Sequence, residues 1–336
     1  MKSGFVAILG RPNVGKSTLL NALAGEKVSI VTAKPQTTRN RIIGVVDVPA
    51  KKGKYPAAQI VFVDTPGVHK PASQLDRRML QDVHEALESC DLALVLVDAT
   101  RRIWLNEDPS SVSKSRPGAH QSSEDEFLFS LVRKLDCPVF LVITKIDLVR
   151  KDQLLPLIGS LTKQYKFTEV IPVSALKRDG IELLIRKIVD VLPTGERYFP
   201  KDQYTDQPLR FMVAELIRES ILIETGEEVP YASAVVIEQF EEPPPGSKAK
   251  THIAAAIYCE REGQKAILIG KGGSKLKAIG TGARRKIESL LGVPVYLELH
   301  VIVEPGWRES RAFVDSLDWR NQLDKLAAGQ VKENED

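Results

Sequence analysis

The stretch Gly10-Arg11-Pro12-Asn13-Val14-Gly15-Lys16-Ser17 decides how the rest of the chain is read. It satisfies the pattern G-x-x-x-x-G-K-[ST] between the apolar run Phe5–Leu9, which reads as a buried strand, and Lys16–Ala24, which reads as the start of a helix. Strand, loop and helix in that order make a phosphate-binding loop. Its glycines let successive backbone N–H groups converge on phosphate oxygens, and the helix adds the positive end of its dipole. Lys16 is placed to reach the β- and γ-phosphates and the Ser17 hydroxyl to hold Mg²⁺, with Gly10, Asn13, Val14, Gly15 and Thr18 completing a nucleotide cradle. A glycine turn that binds nothing is the plain alternative; the presence of every fixed position in the right context weighs against it.

With 336 residues, 43% of them hydrophobic, the chain is long enough for two folded units. A net charge of +3 is too near neutral to imply attraction of the whole chain to nucleic acid, so the placement of charge matters more than its total. Cys90, Cys137 and Cys259 stand far apart among apolar residues, which predicts buried free thiols in a reducing compartment and neither a disulfide framework nor a zinc site. The first strand follows Met1-Lys2-Ser3 directly, and no apolar run of about 18 residues occurs, so a cytoplasmic protein without signal peptide or membrane span is expected.

From Phe5 to about Leu192 the strand-like runs Gln59–Val63, Leu92–Val97, Val139–Ile143 and Val170–Val173 alternate with helical patterns over Gln74–Glu88, Glu124–Leu135 and Ile181–Val191. This predicts βαβ units, hence an α/β domain with a mostly parallel, doubly wound sheet over residues 1–192. Residues 101–123 read as a Ser/Pro/Gly-rich surface insertion, in which Trp104 packs locally or meets a partner. Residues 193–208 lose periodicity and carry Pro193, Gly195 and Pro200, marking a linker. Residues 209–322 then give helix Leu209–Glu224, strands Ala232–Gln239 and His252–Tyr258, helix Ser274–Leu291 and strand Val295–Val303, a second, α+β domain; residues 323–336 read as a flexible tail.

Asp64-Thr65-Pro66-Gly67 ends a strand on the side of the phosphate loop, where Asp64 can hold a water of the Mg²⁺ shell and the Gly67 N–H can sense a γ-phosphate. Thr144-Lys145-Ile146-Asp147 follows another strand. The Asp147 carboxylate can accept from both guanine N1–H and N2–H₂, a pair adenine lacks, while the Lys145 stem packs on the base and Ser174-Ala175-Leu176 offers a backbone N–H to guanine O6. The implied ligand is GTP.

Together with Gln36-Thr37-Thr38-Arg39 and Pro66-Gly67-Val68-His69-Lys70, these motifs resemble the signature set of the translation-factor class of GTPases, and of the Era family within it, over almost the whole chain apart from the insertion and the tail. The resemblance implies that Gln36–Arg39 is the first switch. Thr38, or its neighbour Thr37, would join Ser17 and Asp64 on Mg²⁺ when GTP is bound, and Lys16, Thr38, Gly67 and Asn13 would form the catalytic set. Thr144 stands where the family usually has Asn, which puts in question a bond to guanine N7 or to the phosphate loop. Val68 occupies the place at which Ras-like proteins orient water with Gln, so hydrolysis should be slow. Similar GTPases with a hydrophobic residue there recruit K⁺ through an Asn at the position of Asn13; Arg11 or a ribosomal group are other sources of that charge.

Residues 246–296 hold ten Lys and Arg against three Glu, a local excess of +7 that draws phosphates. Within it, Ile267-Leu268-Ile269-Gly270-Lys271-Gly272-Gly273-Ser274 places a G-x-x-G loop between two helical patterns, so that a polynucleotide backbone can approach closely. The domain resembles a type II KH domain, with Ile269, Gly270, Lys271, Gly272, Gly273, Lys275, Arg284 and Arg285 as the RNA-binding set. Ile267, Ile269, Leu276 and Ile279 line a base groove or fill the core. The family implies binding near the 3′ end of small-subunit ribosomal RNA, a role in maturing the 30S subunit, and peripheral contact at the inner face of the plasma membrane, for which no amphipathic anchor stands out. A monomer is expected. A P-loop ATPase or kinase acting on a small-molecule acceptor is the main alternative, opposed by Asp147 and the KH-like domain; a passive RNA-binding scaffold is opposed by Lys16, Ser17, Asp64 and Asp147.

Overall fold

The computed structural model describes residues 1–100, 119–226, 228–244 and 249–320. The chain opens with β1 (Lys2–Gly10), α1 (Lys16–Ala24), β2 (Ile42–Val48), β3 (Ala58–Asp64), α2 (Gln74–Glu88) and β4 (Leu92–Asp98). It continues with α3 (Ala119–Val132), β5 (Val139–Thr144), α4 (Lys151–Thr162), β6 (Glu169–Pro172) and α5 (Ile181–Val191). The strands form one sheet in the order β2-β3-β1-β4-β5-β6, parallel throughout except for the antiparallel edge strand β2. β1, β4 and β5 are apolar along nearly their whole length because helices cover both faces of the sheet, leaving no solvent-facing positions for alternation. Parallel register brings the carboxyl ends to one edge: Ile8 pairs with Asp64 and Asp98 with Thr144.

The expected α/β architecture is the one found, with local differences. β2 and α4 carry weak sequence signals, since Gly44 interrupts the first and Pro156 and Gly159 the second. α3 starts at Ala119, inside the stretch 101–123 whose composition predicts a loop, because Ala119-His120-Gln121-Ser122-Ser123 lacks the apolar periodicity that marks a packed helix. Arg101–Gly118, with Trp104, and the tail lie outside the described residues. Cys259 is buried as expected, but Cys90 and Cys137 are only half-buried, since both sit where chain enters a strand rather than within one.

The C-terminal part contains α6 (Leu209–Glu224), a short α7 (Val229–Ala232), β7 (Ala234–Glu241), β8 (Thr251–Cys259), α8 (Glu262–Ile269), α9 (Ser274–Leu291), β9 (Val295–Val303) and α10 (Arg311–Ser316). Its sheet runs β7-β8-β9, antiparallel and then parallel. α6 and α9 pack on each other, and the inner β8 run Ile253–Ile257 is buried with small alanines at 254–256, which lets helices close on the sheet. Contacts divide the molecule into two compact units. The first comprises Met1–Val31, Thr38–Pro71 and Met79–Asp206; the second comprises Thr32–Thr37, Ala72–Arg78 and the chain from Gln207 onward. Within the second, Lys34 donates to the carbonyls of Leu222 and Thr225, a cation at the carbonyl end of α6, and Arg218 donates to the Thr37 carbonyl while pairing with Glu215 at 2.6 Å.

Trp307 is fully buried, with its indole N–H donating to the Ala232 carbonyl at 2.9 Å. Trp307→Phe keeps most of the apolar contact and strands that carbonyl, so urea titration followed by circular dichroism should show a loss of about 1–3 kcal/mol in unfolding free energy. An unchanged midpoint would mean that Ala232 finds another donor.

Candidate functional site

The loop after β1 wraps around the Lys16 side chain, whose ammonium donates to the carbonyls of Gly10 at 3.2 Å and Arg11 at 3.1 Å. Burial pushes its pKa down to about 8 despite the attraction of Asp64. Asp64, at the end of β3, is itself fully buried, which raises its pKa against the pull of Lys16 and of three hydroxyls. Those hydroxyls belong to Ser17, at 2.7 Å from Asp64 Oδ2, Ser29 at 3.3 Å and Thr38 at 3.4 Å, and the Ser17 and Thr38 oxygens are 2.8 Å apart. Oδ1 of Asp64 has no hydrogen-bond partner. Of the two adjacent threonines Thr37 and Thr38, Thr38 faces this cluster, whereas the Thr37 hydroxyl donates to the Lys34 carbonyl at 2.6 Å.

Gly67 passes so close to the phosphate loop that a Cβ there would sit 2.8 Å from the Pro12 nitrogen, and the next residue's N–H donates to the Gly10 carbonyl at 3.0 Å. Val68 is 1% exposed and packs among Leu9, Val83 and Val95. Arg11 pairs with Glu124 and lies 3.7 Å from Asp125, so its charge is already answered by α3.

At the end of β5 the Thr144 hydroxyl donates to the Val14 carbonyl at 2.7 Å, so a tie to the phosphate loop exists without the amide of an Asn. Lys145 adopts a left-handed backbone with φ 58°, and its ammonium bridges the Asn13 carbonyl at 2.8 Å and Asp98 at 2.6 Å. Burial alone would raise the Asp98 pKa; Lys145 and Thr100 together hold it below the usual carboxylate range. Asp98, beside Lys145, and Ser29, beside Asp64, are site members that sequence reasoning missed, the first because it reads as the last residue of a strand, the second because it belongs to no motif. Asp147 is exposed in a short turn whose first amide, that of Ile146, donates to the Val173 carbonyl at 3.4 Å. This draws the Asp147 turn beside Ser174–Leu176, where the amides of Ala175 and Leu176 stay outside the turn's own hydrogen bonds.

In the second unit α8 ends on Gly270, with φ 72°, and Gly272 and Gly273 follow at 59° and 79° before α9 begins. Gly270, whose ψ of 174° goes with that φ, sits in a region open essentially to glycine alone, and the glycines that follow leave the loop backbone bare. Alongside runs a groove of about 360 Å³ lined by Gly273, Leu276, Lys277, Arg284, Tyr296 and Leu299. Leu276 thus lines the groove and Ile279 is core, while Ile267 is exposed. Lys271 and Arg285 are exposed, Lys275 lies 3.9 Å from Glu224 and Arg284 4.0 Å from Glu288, whereas Lys286 is spent on the buried Glu219 at 2.9 Å.

Residues 5–145 match the family described as 50S ribosome-binding GTPase, and residues 228–308 match the KH domain family. The chain is 41% identical to GTPase Era of Ruminiclostridium cellulolyticum, over 95% of this chain and 98% of that protein. It is 45% identical to GTPase Era of Geotalea uraniireducens, over 92% and 95%. Among solved structures it is similar to a single-residue variant of Aquifex aeolicus Era bound to GDP and AlF₄⁻, with TM-score 0.79, 40% identity and coverage of 94% and 98%. It is likewise similar to Era in complex with MgGDPNP and nucleotides 1506–1542 of 16S ribosomal RNA, with TM-score 0.80, 41% identity and coverage of 94% and 97%.

The Lys16 pKa links nucleotide binding to pH. Below about pH 8 the amine is charged in folded and unfolded chain alike; between there and its ordinary 10.5 only the unfolded chain keeps the proton, so the nucleotide-free protein gains stability as pH rises through that window. Bound phosphate favours the ammonium again. GDP binding should therefore take up protons at about pH 8.5 but not at pH 6.5, measured calorimetrically in buffers of unequal ionisation enthalpy. Equal heats at the higher pH would mean that Lys16 is charged before the ligand arrives.

Proposed function

Because the chain belongs to the Era family of GTPases, we propose that this GTP-hydrolysing protein acts as a switched RNA-binding factor: it engages small-subunit ribosomal RNA near its 3′ end and assists 30S assembly as a cytoplasmic monomer. The observation that carries this reading is the coexistence, in one chain, of a guanine-type nucleotide site and a bare-backbone G-x-x-G groove, in a protein similar over most of its length to an Era solved with 16S ribosomal RNA. Contact with the inner face of the plasma membrane belongs to the proposal through the family alone; among the described residues no helix is long and apolar enough to cross a membrane.

The hydroxyls of Ser17 and Thr38 and the unpartnered oxygen of Asp64 form a compact set of hard donors, which fits a hard divalent cation. These residues would hold Mg²⁺, which supplies charge neutralisation at the β–γ bridge. The chain's own residues do the rest. Lys16 stabilises the phosphates, Gly67 reads the γ-phosphate, and Asp147 selects guanine, with Gly10, Asn13, Val14, Gly15, Thr18, Thr144, Lys145 and Ser174–Leu176 completing the cradle. Val68, turned into the core, cannot orient water, so hydrolysis is slow without help. Arg11 is held by α3, which favours K⁺ recruited through Asn13 as the missing charge. RNA contacts fall to Ile269–Gly273, Lys275, Arg284 and Arg285.

Filter binding with 3′-terminal 16S RNA should show GTP-dependent affinity that falls steeply with salt, and Lys271→Glu with Lys275→Glu should lower both the affinity and the salt slope, by about 2. Nucleotide competition should favour GTP over ATP at least 100-fold, a preference that Asp147→Asn abolishes. Retention of that preference in Asp147→Asn, or RNA affinity indifferent to nucleotide and to the double substitution, would refute the reading. In a separate assay, hydrolysis should be at least several-fold faster in K⁺ than in Na⁺ and should lose that difference in Asn13→Ala. Equal rates in the two salts would exclude the K⁺ role.

A further inference from the structure

Cys90 lies between the end of α2 at Glu88 and the start of β4 at Leu92, and Cys137 lies just before β5. Parallel pairing of Ala93 with Val139 runs the two entry segments side by side, and the Cys90 and Cys137 sulfurs stand 3.4 Å apart. Both residues are half-buried and lie at the sheet edge opposite the nucleotide site. We propose that Cys90 and Cys137 form a dithiol that closes reversibly to an intramolecular disulfide with a low-molecular-weight disulfide as oxidant.

Closing the pair to a bond of about 2 Å takes roughly 1.4 Å of sulfur travel, within the range of side-chain rotation. Cys259 offers a contrast: it is buried, with the Arg261 and Ile302 carbonyls at 3.7 and 3.5 Å as its partners. The two facing thiols are also unequal. The Cys90 Sγ also donates to the Leu87 carbonyl at 3.3 Å, which holds its proton in place, and its contact with Cys137 favours the thiolate there, so Cys137 is the attacking thiolate and Cys90 the resolving thiol. Cys137 attacks glutathione disulfide and expels one glutathione thiolate. Cys90 then gives its proton to solvent and attacks the Cys137 sulfur, expelling the second. The pair loses two electrons and the glutathione disulfide gains them.

Titration of the full chain with glutathione disulfide should consume two of its three thiols with loss of two hydrogens in mass, no retained glutathione and a rise of several degrees in Tm, all reversed by dithiothreitol. Cys90→Ser should trap glutathione on Cys137, and Cys137→Ala should leave Cys90 reduced. Glutathione retained on the wild-type chain, a disulfide between two chains, or three thiols surviving the titration would overturn the proposal.

Discussion

Two opposite charges, the Lys16 ammonium and the Asp64 carboxylate, are buried at the carboxyl edge of the parallel sheet, and the surrounding structure is arranged to tolerate them. Water cannot solvate either group. The ammonium is therefore wrapped by carbonyls of its own loop, and the carboxylate by the hydroxyls of Ser17, Ser29 and Thr38. The effect of burial still outweighs these contacts, since Lys16 is pushed toward neutrality and Asp64 toward protonation. A site left electrostatically incomplete in this way gains when polyanion and cation arrive together, which is the physical basis for reading it as a phosphate and metal site.

The departure from the family pattern at Thr144 has a local explanation. Thr144 keeps the tie between the base strand and the phosphate loop with a hydroxyl instead of an amide, and Lys145 adds a second tie through the Asn13 carbonyl. Two short bonds anchor the loop from the side, so losing the Asn amide does not detach it. Val68 is a different case. Its side chain joins the apolar cluster with Leu9, Val83 and Val95 and serves the packing of α2 on the sheet.

The parallel sheet and its phosphate loop were legible in the sequence because both rest on local patterns: continuous apolar runs, a fixed glycine spacing and a helix start. β2 and α4 were not, since Gly44, Pro156 and Gly159 break the periodicity and only tertiary packing restores it. The choice of Thr38 over Thr37 as the partner of Ser17 was equally hidden, because adjacent residues of one type differ only in which way the backbone turns them. Asp98 escaped notice for a similar reason: a strand's last residue gains meaning only when the neighbouring strand brings Lys145 within 2.6 Å. The half-exposure of Cys90 and Cys137 arises from register between two strands, which no single stretch of sequence encodes.

Charge in the second unit shows why a count of residues is a weaker guide than their placement. Lys286 contributes to the excess of basic residues in the sequence, yet it neutralises a buried Glu219 between helices and has little left for a ligand. Arg284 and Lys275 meet their acidic neighbours only at 4.0 and 3.9 Å and with much of each side chain in solvent, where such pairs are worth at most about 1 kcal/mol. A phosphate can displace contacts of that strength, whereas it cannot compete for a lysine that keeps another charge from being stranded inside the protein. The basic side chains left for solvent around the glycine loop are therefore those of Lys271, Lys275, Arg284 and Arg285.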